Sequence, residues 1–324
     1  MRELIRKLEP VVQLTRVTAA FGAVANIWFV TLWTRVNPDE GPVMDDRQLW
    51  LLLLGGAASA IGLCAFGAAL NDFIDANRDR AMGLDKPLVS GRASPEMALS
   101  AVAGTLILSA LGATAFGMPA VIVTLLLAGA AIVFNTAVRF VPGVGFVMLG
   151  GIAAAHMITP NLHLKFLAPV WLVLTHTALV AGVTHWLARK SPPVSKRAVF
   201  VAIAGWVFLT LLMGALAWRR TDGVGVWPGW VPLSAAVFPG FLGLVFAALA
   251  IRRATHLASG SRAAEKIQRY GALWMPLYGC AWLAGAGHFD AAWLMGVLAL
   301  AGFAGMAALR EAHAVLEHPV GYRR

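Results

Sequence analysis

The sequence predicts an all-α, polytopic membrane protein, a helical bundle of about nine or ten transmembrane helices. Of its 324 residues, 59% are apolar and only 13% are charged, whereas a soluble domain carries roughly twice that charged fraction. Apolar stretches of about 20 residues, the length that crosses a bilayer core, recur along the whole chain. Twelve tryptophans and sixteen phenylalanines fit packed helices with aromatic side chains at the membrane interface.

Ten apolar stretches follow one another, and each predicts one helix. They lie at 17–35, 48–70, 97–116, 119–138, 144–160, 167–188, 198–217, 231–251, 271–287 and 289–309. The stretches at 144–160 and 271–287 are short for a bilayer crossing. Whether the last two stretches, at 271–287 and 289–309, form two transmembrane helices or one decides between ten helices and nine. Gly150-Gly151 and Pro276 lie inside stretches, where we expect close helix packing and a kink. The connecting loops are short, so we predict one membrane domain over residues 1–324.

The cations lie in alternate loops, and this pattern predicts the orientation of the chain. The basic segments are the N-terminal segment up to Arg16, the loop at 71–95, Arg139 after the fourth stretch, and the loops at 189–197 and 252–269. The 36–47 loop is acidic, and the remaining loops carry little charge apart from Arg219 and Arg220. The positive-inside rule therefore makes the N-terminus and the basic loops cytoplasmic, and we place the protein in the cell inner membrane. The net charge of +10 does not indicate nucleic-acid binding, because no soluble basic domain carries it.

Three further features lie in or beside the apolar stretches. The basic segment at 252–270 predicts a short amphipathic helix that lies on anionic lipid. Residues 1–16 form a basic amphipathic segment without a small-residue cleavage site, which argues against a signal peptide. Cys64 and Cys280 lie inside apolar stretches, and we expect both to be free thiols.

The segment at 71–95 concentrates charge in an otherwise nearly uncharged chain. It contains four carboxylates and four cations, and Asp72, Asp75 and Asp79 are spaced so that they share one face of a helix. Carboxylates at the end of a membrane helix are costly unless a cation needs them. Mg²⁺ binds one or two carboxylates and bridges to a phosphate, and the Asn71 amide adds an oxygen beside them. The alternative is a charged turn at the membrane surface that is held by ion pairs within the loop.

The order of these residues resembles a known motif. Asn71-Asp72-x-x-Asp75-x-x-x-Asp79, followed by DKPLVSGRAS at 85–94, is similar to the first aspartate-rich motif of the UbiA superfamily of intramembrane prenyltransferases. That motif reads NDxxDxxxD and then RPLPSGRVS, so Lys86 stands where the family usually has arginine. The residues from Asn135 to Gly145, with Arg139 among them, resemble the basic turn after the family's fourth helix.

The resemblance implies a fold and a reaction. The fold is a helical bundle around a central cavity, and the reaction is Mg²⁺-dependent transfer of an isoprenyl group from an isoprenyl diphosphate to a lipophilic, often aromatic acceptor. It implies that Mg²⁺ is held by Asn71, Asp72, Asp75 and Asp79. The diphosphate would be bound by Arg78, Lys86 and Arg139. Asn26, a polar residue inside the first stretch, either lines the acceptor pocket or forms an interhelix hydrogen bond.

The chain departs from the family after its sixth stretch. The family has a second motif there, DxxxDxxxD, whereas this chain has no aspartate or glutamate between Glu96 and Asp222. The segment at 175–190 is instead basic and contains His176, His185, Arg189 and Lys190.

Three interpretations remain open at this stage. In the first, the protein is an enzyme in which Arg189 and Lys190 replace the second metal at the diphosphate. His176 and His185 then act as a base or as a hydrogen-bond partner of the substrate, with His185 the better candidate for catalysis. In the second, it is an altered relative that binds a lipid, quinone or pigment, or that serves a membrane complex or a homo-oligomer. A transporter is the third interpretation, but the second half has no counterpart of the aspartate cluster, as inverted repeats would require. His156 and His176 predict packing or interhelix hydrogen bonds.

Overall fold

The computed structural model of the protein describes residues 14, 20–41, 44, 46–256 and 259–317, the segment at 308–317 by its backbone alone. The described residues form ten α-helices and no strand, which confirms the predicted all-α fold. The helices are α1 (Phe21–Val36), α2 (Leu49–Ala81), α3 (Pro95–Ala113), α4 (Met118–Thr136), α5 (Pro142–Met157), α6 (Ala168–Leu187), α7 (Lys196–Arg220), α8 (Val237–His256), α9 (Gly260–Gly285) and α10 (Phe289–Glu317). The basic segment at 1–16, apart from Leu14, lies outside the described residues.

Seven of the helical segments are long and apolar enough to cross a membrane, and α5 is a shorter apolar helix. The chain is therefore a multi-pass membrane protein. The predicted stretches match the helices in number and order, but α2 continues 11 residues beyond the predicted end at 70. This extension carries the aspartate cluster, so the acids lie on a helix that is continuous with a membrane span. Both cysteines are free thiols, as expected.

The basic segment at 252–270 does not form a separate surface helix, so that prediction is wrong. Helix α8 ends at His256, and α9 begins at Gly260 and continues through Pro276 to Gly285. The start of α9 is nevertheless amphipathic, since Ala263 and Ile267 are buried while Arg262 is exposed. The buried face of this basic first part of α9 continues into the buried face of its apolar second part, after residue 270. This continuity favours one long helix.

Helix α1 forms the centre of the bundle. Most of its side chains are buried, and Trp33 and Ile27 are fully inaccessible. It packs against α2, α5, α9 and α10. Because α1 is surrounded, polar side chains on it face other helices instead of lipid, and Asn26 is one of them.

Helices α2 and α3 approach each other closely along their length. A Cβ atom at Gly62 would lie 2.5 Å from the Ser109 nitrogen, and one at Gly112 would lie 2.3 Å from the Ser59 nitrogen. The Ser109 hydroxyl donates a hydrogen bond of 2.9 Å to the Ser59 carbonyl. Small residues permit such contacts between membrane helices, and the contact fixes the helix that carries the aspartates.

A buried carboxylate anchors the end of the bundle opposite the aspartates. Glu40, which is 2% exposed, accepts hydrogen bonds from the Trp33 indole and from the backbone N–H groups of Lys165 and Phe166. Burial raises the pKa of Glu40, while these hydrogen bonds oppose the increase. The interaction ties the loop before α6 to the end of α1.

Candidate functional site

The aspartate cluster lies on the last three turns of α2 and faces the protein interior. Asp72, Asp75 and Asp79 are 4%, 9% and 3% exposed, whereas Arg78 and Arg80 on the other face are exposed. The spacing of three and four residues produces this single face, as predicted. Three buried carboxylates so close together require positive charge, and the surrounding residues supply it.

Lys86 lies between two of the carboxylates. Its Nζ is 2.9 Å from Asp72 Oδ1 and 2.7 Å from Asp79 Oδ2. Burial lowers the pKa of the Lys86 ammonium, but its contacts with Asp79 and Asp72 outweigh that effect, so the net change is an increase and the side chain stays protonated. One protein cation is therefore shared by two acids, which keep one negative charge between them.

The loop after α2 places Lys86 at this position. It folds back on itself through hydrogen bonds from the Ser90 and Ala93 nitrogens to the Lys86 and Pro87 carbonyls. Gly83 and Gly91 adopt positive φ angles of 65° and 74°, which favour glycine.

Arg139 neutralises the third carboxylate. It lies in the short turn after α4, and its guanidinium forms a bidentate pair with Asp75. The same NH1 donates a 2.7 Å hydrogen bond to Asn71 Oδ1, and the guanidinium carbon lies 4.8 Å from the centre of the Phe140 ring. The basic turn that resembled the family's fourth-helix turn therefore contacts the aspartate motif itself.

Two of the three carboxylates are placed to bind one hard cation together. Within the described residues, no three acidic, histidine or cysteine side chains converge as metal ligands. Asp72 and Asp79, however, approach one positively charged atom from two sides, and Asp79 Oδ2 is buried without a hydrogen bond of good geometry. Mg²⁺ binds one or two carboxylates and keeps several waters. The donor set of Asp72 and Asp79 therefore fits Mg²⁺ at the position that the Lys86 ammonium occupies.

A cavity of about 440 Å³ lies inside the bundle next to this cluster. Gly67, one helical turn before Asn71, lines it, as does Asn135, one turn before Arg139. One turn rises about 5.4 Å, so the cavity begins directly inward of the charged residues. The central cavity that the resemblance implied is present, and Asn26 lines it.

Arg189, Lys190 and His185 lie in a different place. They line a second cleft, of about 820 Å³, together with Ser259 and Ser261. The His185 ring nitrogen Nε2 is 2.8 Å from the Pro192 carbonyl. The end of α6 separates the two spaces, because Thr184 lines the central cavity and His185 lines the second cleft. The three basic residues therefore line a different space from the central cavity beside the aspartate cluster.

Sequence reasoning favoured packing for two residues that line the cavity. His156 and His176 both line the central cavity and are 4% and 6% exposed. His176 does form the expected interhelix contact, since its Nδ1 lies 3.2 Å from the Tyr278 hydroxyl. A histidine in an apolar stretch was the only signal in the sequence, and it does not reveal which side of a helix faces a cavity.

No family model and no curated protein sequence matches this chain. Among solved structures, that of a digeranylgeranylglyceryl phosphate synthase has 17% sequence identity and a TM-score of 0.53, and the match covers 86% of this chain and 98% of that chain. A UbiA homologue from Archaeoglobus fulgidus bound to GPP and Mg²⁺ has 14% identity and a TM-score of 0.43, with 91% of this chain and 98% of that chain covered. The chain therefore shares the fold of digeranylgeranylglyceryl phosphate synthase, the helical-bundle fold that the resemblance to the UbiA superfamily implied.

Proposed function

We propose that this protein is a divergent member of the UbiA superfamily and works as an intramembrane prenyltransferase. It would transfer an isoprenyl group from an isoprenyl diphosphate to a lipophilic acceptor with the help of Mg²⁺. One observation carries the proposal: the motif's three buried carboxylates lie at the mouth of an apolar cavity inside a membrane bundle. The shared fold supports it, because the solved structure is named as the synthase of an isoprenoid lipid phosphate.

The charged residues have distinct roles in this proposal. Asp72 and Asp79 would hold Mg²⁺, while Asp75 and Asn71 keep Arg139 in place. When bound, Mg²⁺ supplies positive charge that stabilises the departing diphosphate. Lys86, released from the two acids, would then bind phosphate oxygens together with Arg139.

The cavity provides the environment that the transfer requires. The bond between the allylic carbon and the ester oxygen breaks, and its electron pair leaves with the diphosphate. The acceptor then forms the new bond to that carbon and loses a proton. The apolar walls exclude water, which would otherwise capture the allylic cation.

Prenyl transfer by the purified protein tests this function. We expect a labelled C10–C20 diphosphate to yield a prenylated product with Mg²⁺, and Asp72→Asn to reduce the rate by about 100-fold or more, since a metal supplies several kcal/mol of charge stabilisation. The matched control is Asp85→Asn, because Asp85 belongs to the same motif but is exposed and pairs with the exposed Arg92. Absence of turnover with every donor, across a broad panel of acceptors, contradicts the proposal.

A specific observation favours a second function, that of a lipid- or quinone-binding protein. The carboxylates already pair with Lys86 and Arg139, and the chain lacks acids from 97 to 221. A binding protein would retain a copurifying lipid after Asp72→Asn, whereas the enzyme would lose its diphosphate affinity. Mass spectrometry of the lipids extracted from the purified wild-type protein and from Asp72→Asn distinguishes the two functions.

We also propose that Arg189 and Lys190 act on the diphosphate as it enters or leaves, not at the metal, because they line the second cleft. The double variant Arg189→Ala/Lys190→Ala would then raise the KM for the diphosphate several-fold and leave Mg²⁺ binding unchanged. An unchanged KM would show that these two residues do not bind the diphosphate on its way to or from the site.

A further inference from the structure

The second cleft, between the end of α6 and the start of α9, has a positively charged lining. The exposed cations Arg189 and Lys190 line it, together with the hydroxyl-bearing residues Ser259 and Ser261. No acidic residue is among those that line it in the described part of the chain. Arginine and lysine bind phosphate oxygens, and hydroxyls add hydrogen bonds to them. The composition of the cleft therefore suits a phosphate group.

Two features of the backbone build this cleft. A Cβ atom at Gly260 would lie 2.3 Å from the Leu187 carbonyl oxygen, so the start of α9 packs directly on the end of α6. Arg189 follows α6 with a φ of 48°, in the left-handed region where glycine is usual and other residues are strained. An arginine at this position costs stability relative to glycine, which indicates that its charged side chain has a role.

An apolar groove of about 710 Å³ lies between the two membrane spans α6 and α7. Helix α7 packs mainly against α5 and only slightly against α6, which leaves the groove open on its outer side, where Leu179 and Ile203 are exposed. Deep in the groove, the Trp206 indole N–H donates a 2.9 Å hydrogen bond to the Thr175 hydroxyl, so these polar groups satisfy each other. A hydrocarbon chain suits this lining.

The cleft and the groove join each other, since Trp186 and Val194 line both. From Trp186 back to Thr175, α6 extends about 16 Å at 1.5 Å per residue. That distance is about half of the roughly 30 Å hydrocarbon core of a bilayer, the depth of one leaflet. The basic cleft lies beyond the end of the span, at the level of the headgroups. The joined spaces therefore match one phospholipid in charge, polarity and depth.

We propose that the cleft and the groove together bind one anionic phospholipid. Its phosphate lies at Arg189 and Lys190, and one acyl chain follows α6 into the membrane. The bilayer supplies this ligand directly, because the groove is open on the side of the lipid. Binding does not depend on the proposed prenyl transfer. An isoprenyl diphosphate that passes the same two cations would compete with the phospholipid, so the test includes that competition.

Native mass spectrometry of the purified full-length protein, without metal or diphosphate, tests the inference. The probes are phosphatidylglycerol, phosphatidylcholine with the same acyl chains, and glycerophosphoglycerol, which is the anionic headgroup without chains. We expect one phosphatidylglycerol to bind about tenfold more tightly than phosphatidylcholine, because two cations attract its net negative charge. Glycerophosphoglycerol is expected to bind at least about tenfold more weakly than the intact lipid, because it leaves the groove empty. Equal binding within either pair of probes overturns the inference.

Substitutions in the cleft show whether its cations cause the preference. Arg189→Gly/Lys190→Ala is expected to abolish the preference for phosphatidylglycerol and to keep the fold, because glycine suits the φ angle at position 189. The matched control is Lys196→Ala/Arg197→Ala, which removes the same charge from exposed positions at the start of α7 that do not line the cleft. An equal loss in both double variants would indicate general attraction to anionic lipid and overturns the inference.

A substitution in the groove tests the position of the acyl chain. Ala202→Phe fills part of the groove and is expected to weaken the binding of both lipids several-fold while their ratio stays the same. The matched control is Ala204→Phe, because Ala204 is exposed on the same helix and lies outside the groove. Equal lipid affinities of these two variants overturn the inference.

A measurement on the unmodified protein covers the case in which a variant does not fold. Phosphatidylglycerol with a photoreactive diazirine in one acyl chain is expected to label α6 and α7 between residues 175 and 206 in preference to the other helices. Labelling that is spread evenly over all the membrane helices overturns the inference.

Two competing occupants are distinguished in the same spectra. Geranyl diphosphate at an equal concentration, without Mg²⁺, is expected to leave phosphatidylglycerol bound, and displacement of the lipid would assign the cleft to the diphosphate instead. A dimer that excludes phosphatidylglycerol would assign the groove to a second copy of the chain. Either result overturns the inference. If the lipid binds as expected but no prenyl transfer occurs, the lipid site stands and only the proposed function fails.

Discussion

At the scale of single residues, Lys86 is the decisive side chain of the aspartate motif. It occupies the position between Asp72 and Asp79 that a divalent cation fits by charge and by ligand type. At the proposed Mg²⁺ site, metal and lysine would therefore compete for the same two carboxylates. The sequence predicted Lys86 as a diphosphate ligand, and this role remains a proposal that requires Lys86 to leave the acids first.

This competition predicts how stability depends on Mg²⁺. Lys86→Ala leaves two buried carboxylates without their shared cation, and we expect a loss of about 2 kcal/mol in the free energy of unfolding without metal. This is below the roughly 3–5 kcal/mol of a fully buried pair, because the lysine side chain is 25% exposed. Added Mg²⁺ would restore much of this stability, since it binds the folded state only.

Thermal unfolding in detergent at increasing Mg²⁺ concentration measures the effect. The variant is expected to gain more stability from Mg²⁺ than the wild-type protein does. Arg92→Ala is the control, because it breaks the exposed pair with Asp85 and changes stability by less than about 1 kcal/mol. Equal Mg²⁺ responses in wild type and Lys86→Ala would show that the metal does not use these acids.

At the scale of residues, the sequence located the acids but did not reveal which protein cations pair with them. The one-face arrangement of the acids follows from helix geometry, so their spacing sufficed. Arg139 was predicted to meet the diphosphate, but it pairs with Asp75, a residue 64 positions earlier. Partners this distant depend on how α4 ends beside α2, which no local pattern in the sequence specifies.

At the scale of helices, the contact of α2 with α3 determines where the motif lies. Gly112 meets the backbone of Ser59, so even one added carbon would force the two helices apart. Such a shift would move α2, whose last turns carry the acids.

We therefore expect Gly112→Ala to lower the free energy of unfolding by about 1–3 kcal/mol, the usual cost of overpacking. The matched control is Gly104→Ala on the same helix, where an added Cβ meets nothing within 4 Å. That control is expected to be neutral or to gain up to about 1 kcal/mol from its higher helix propensity. Unfolding curves of the two variants in the same detergent provide the comparison. Similar stabilities would mean that the close contact of α2 with α3 tolerates an added carbon at Gly112.

Helix boundaries show the limit of hydropathy as a predictor. The span ending at 70 continues to 81 as α2, because its charged residues extend the helix beyond the apolar stretch. The segment at 252–270 divides between α8 and α9, because its charged residues extend both helices beyond their apolar stretches. Hydropathy locates the membrane core, but hydrogen bonding and packing decide where a helix ends.

At the scale of the whole molecule, the distribution of charge predicts the orientation in the membrane. Exposed cations cluster at the end of the bundle that carries the aspartate motif, among them Arg78, Arg189 and Lys190. We propose that this end faces the cytoplasm of a cell with an inner membrane. The loop before α6, with the exposed His163, would then face the other side.

Labelling of single cysteines tests this orientation. In a chain whose Cys64 and Cys280 are replaced by alanine, we expect Asp85→Cys to react with a membrane-impermeant maleimide only in inside-out vesicles. His163→Cys is the matched position and is expected to react only in right-side-out vesicles. The reverse pattern contradicts the proposed orientation and would place the aspartate motif outside the cytoplasm.

The sequence by itself determined the fold class, the order of the apolar helices and the location of the carboxylate cluster. These features depend on composition and on local periodicity, because an apolar stretch of sufficient length becomes a membrane helix and a fixed spacing places acids on one face. Tertiary structure alone decided that Lys86 and Arg139 pair with the acids, that Arg189 and Lys190 line a separate cleft, and that His156 and His176 line one cavity. Those relations join distant residues, and only the packing of all the helices brings them together.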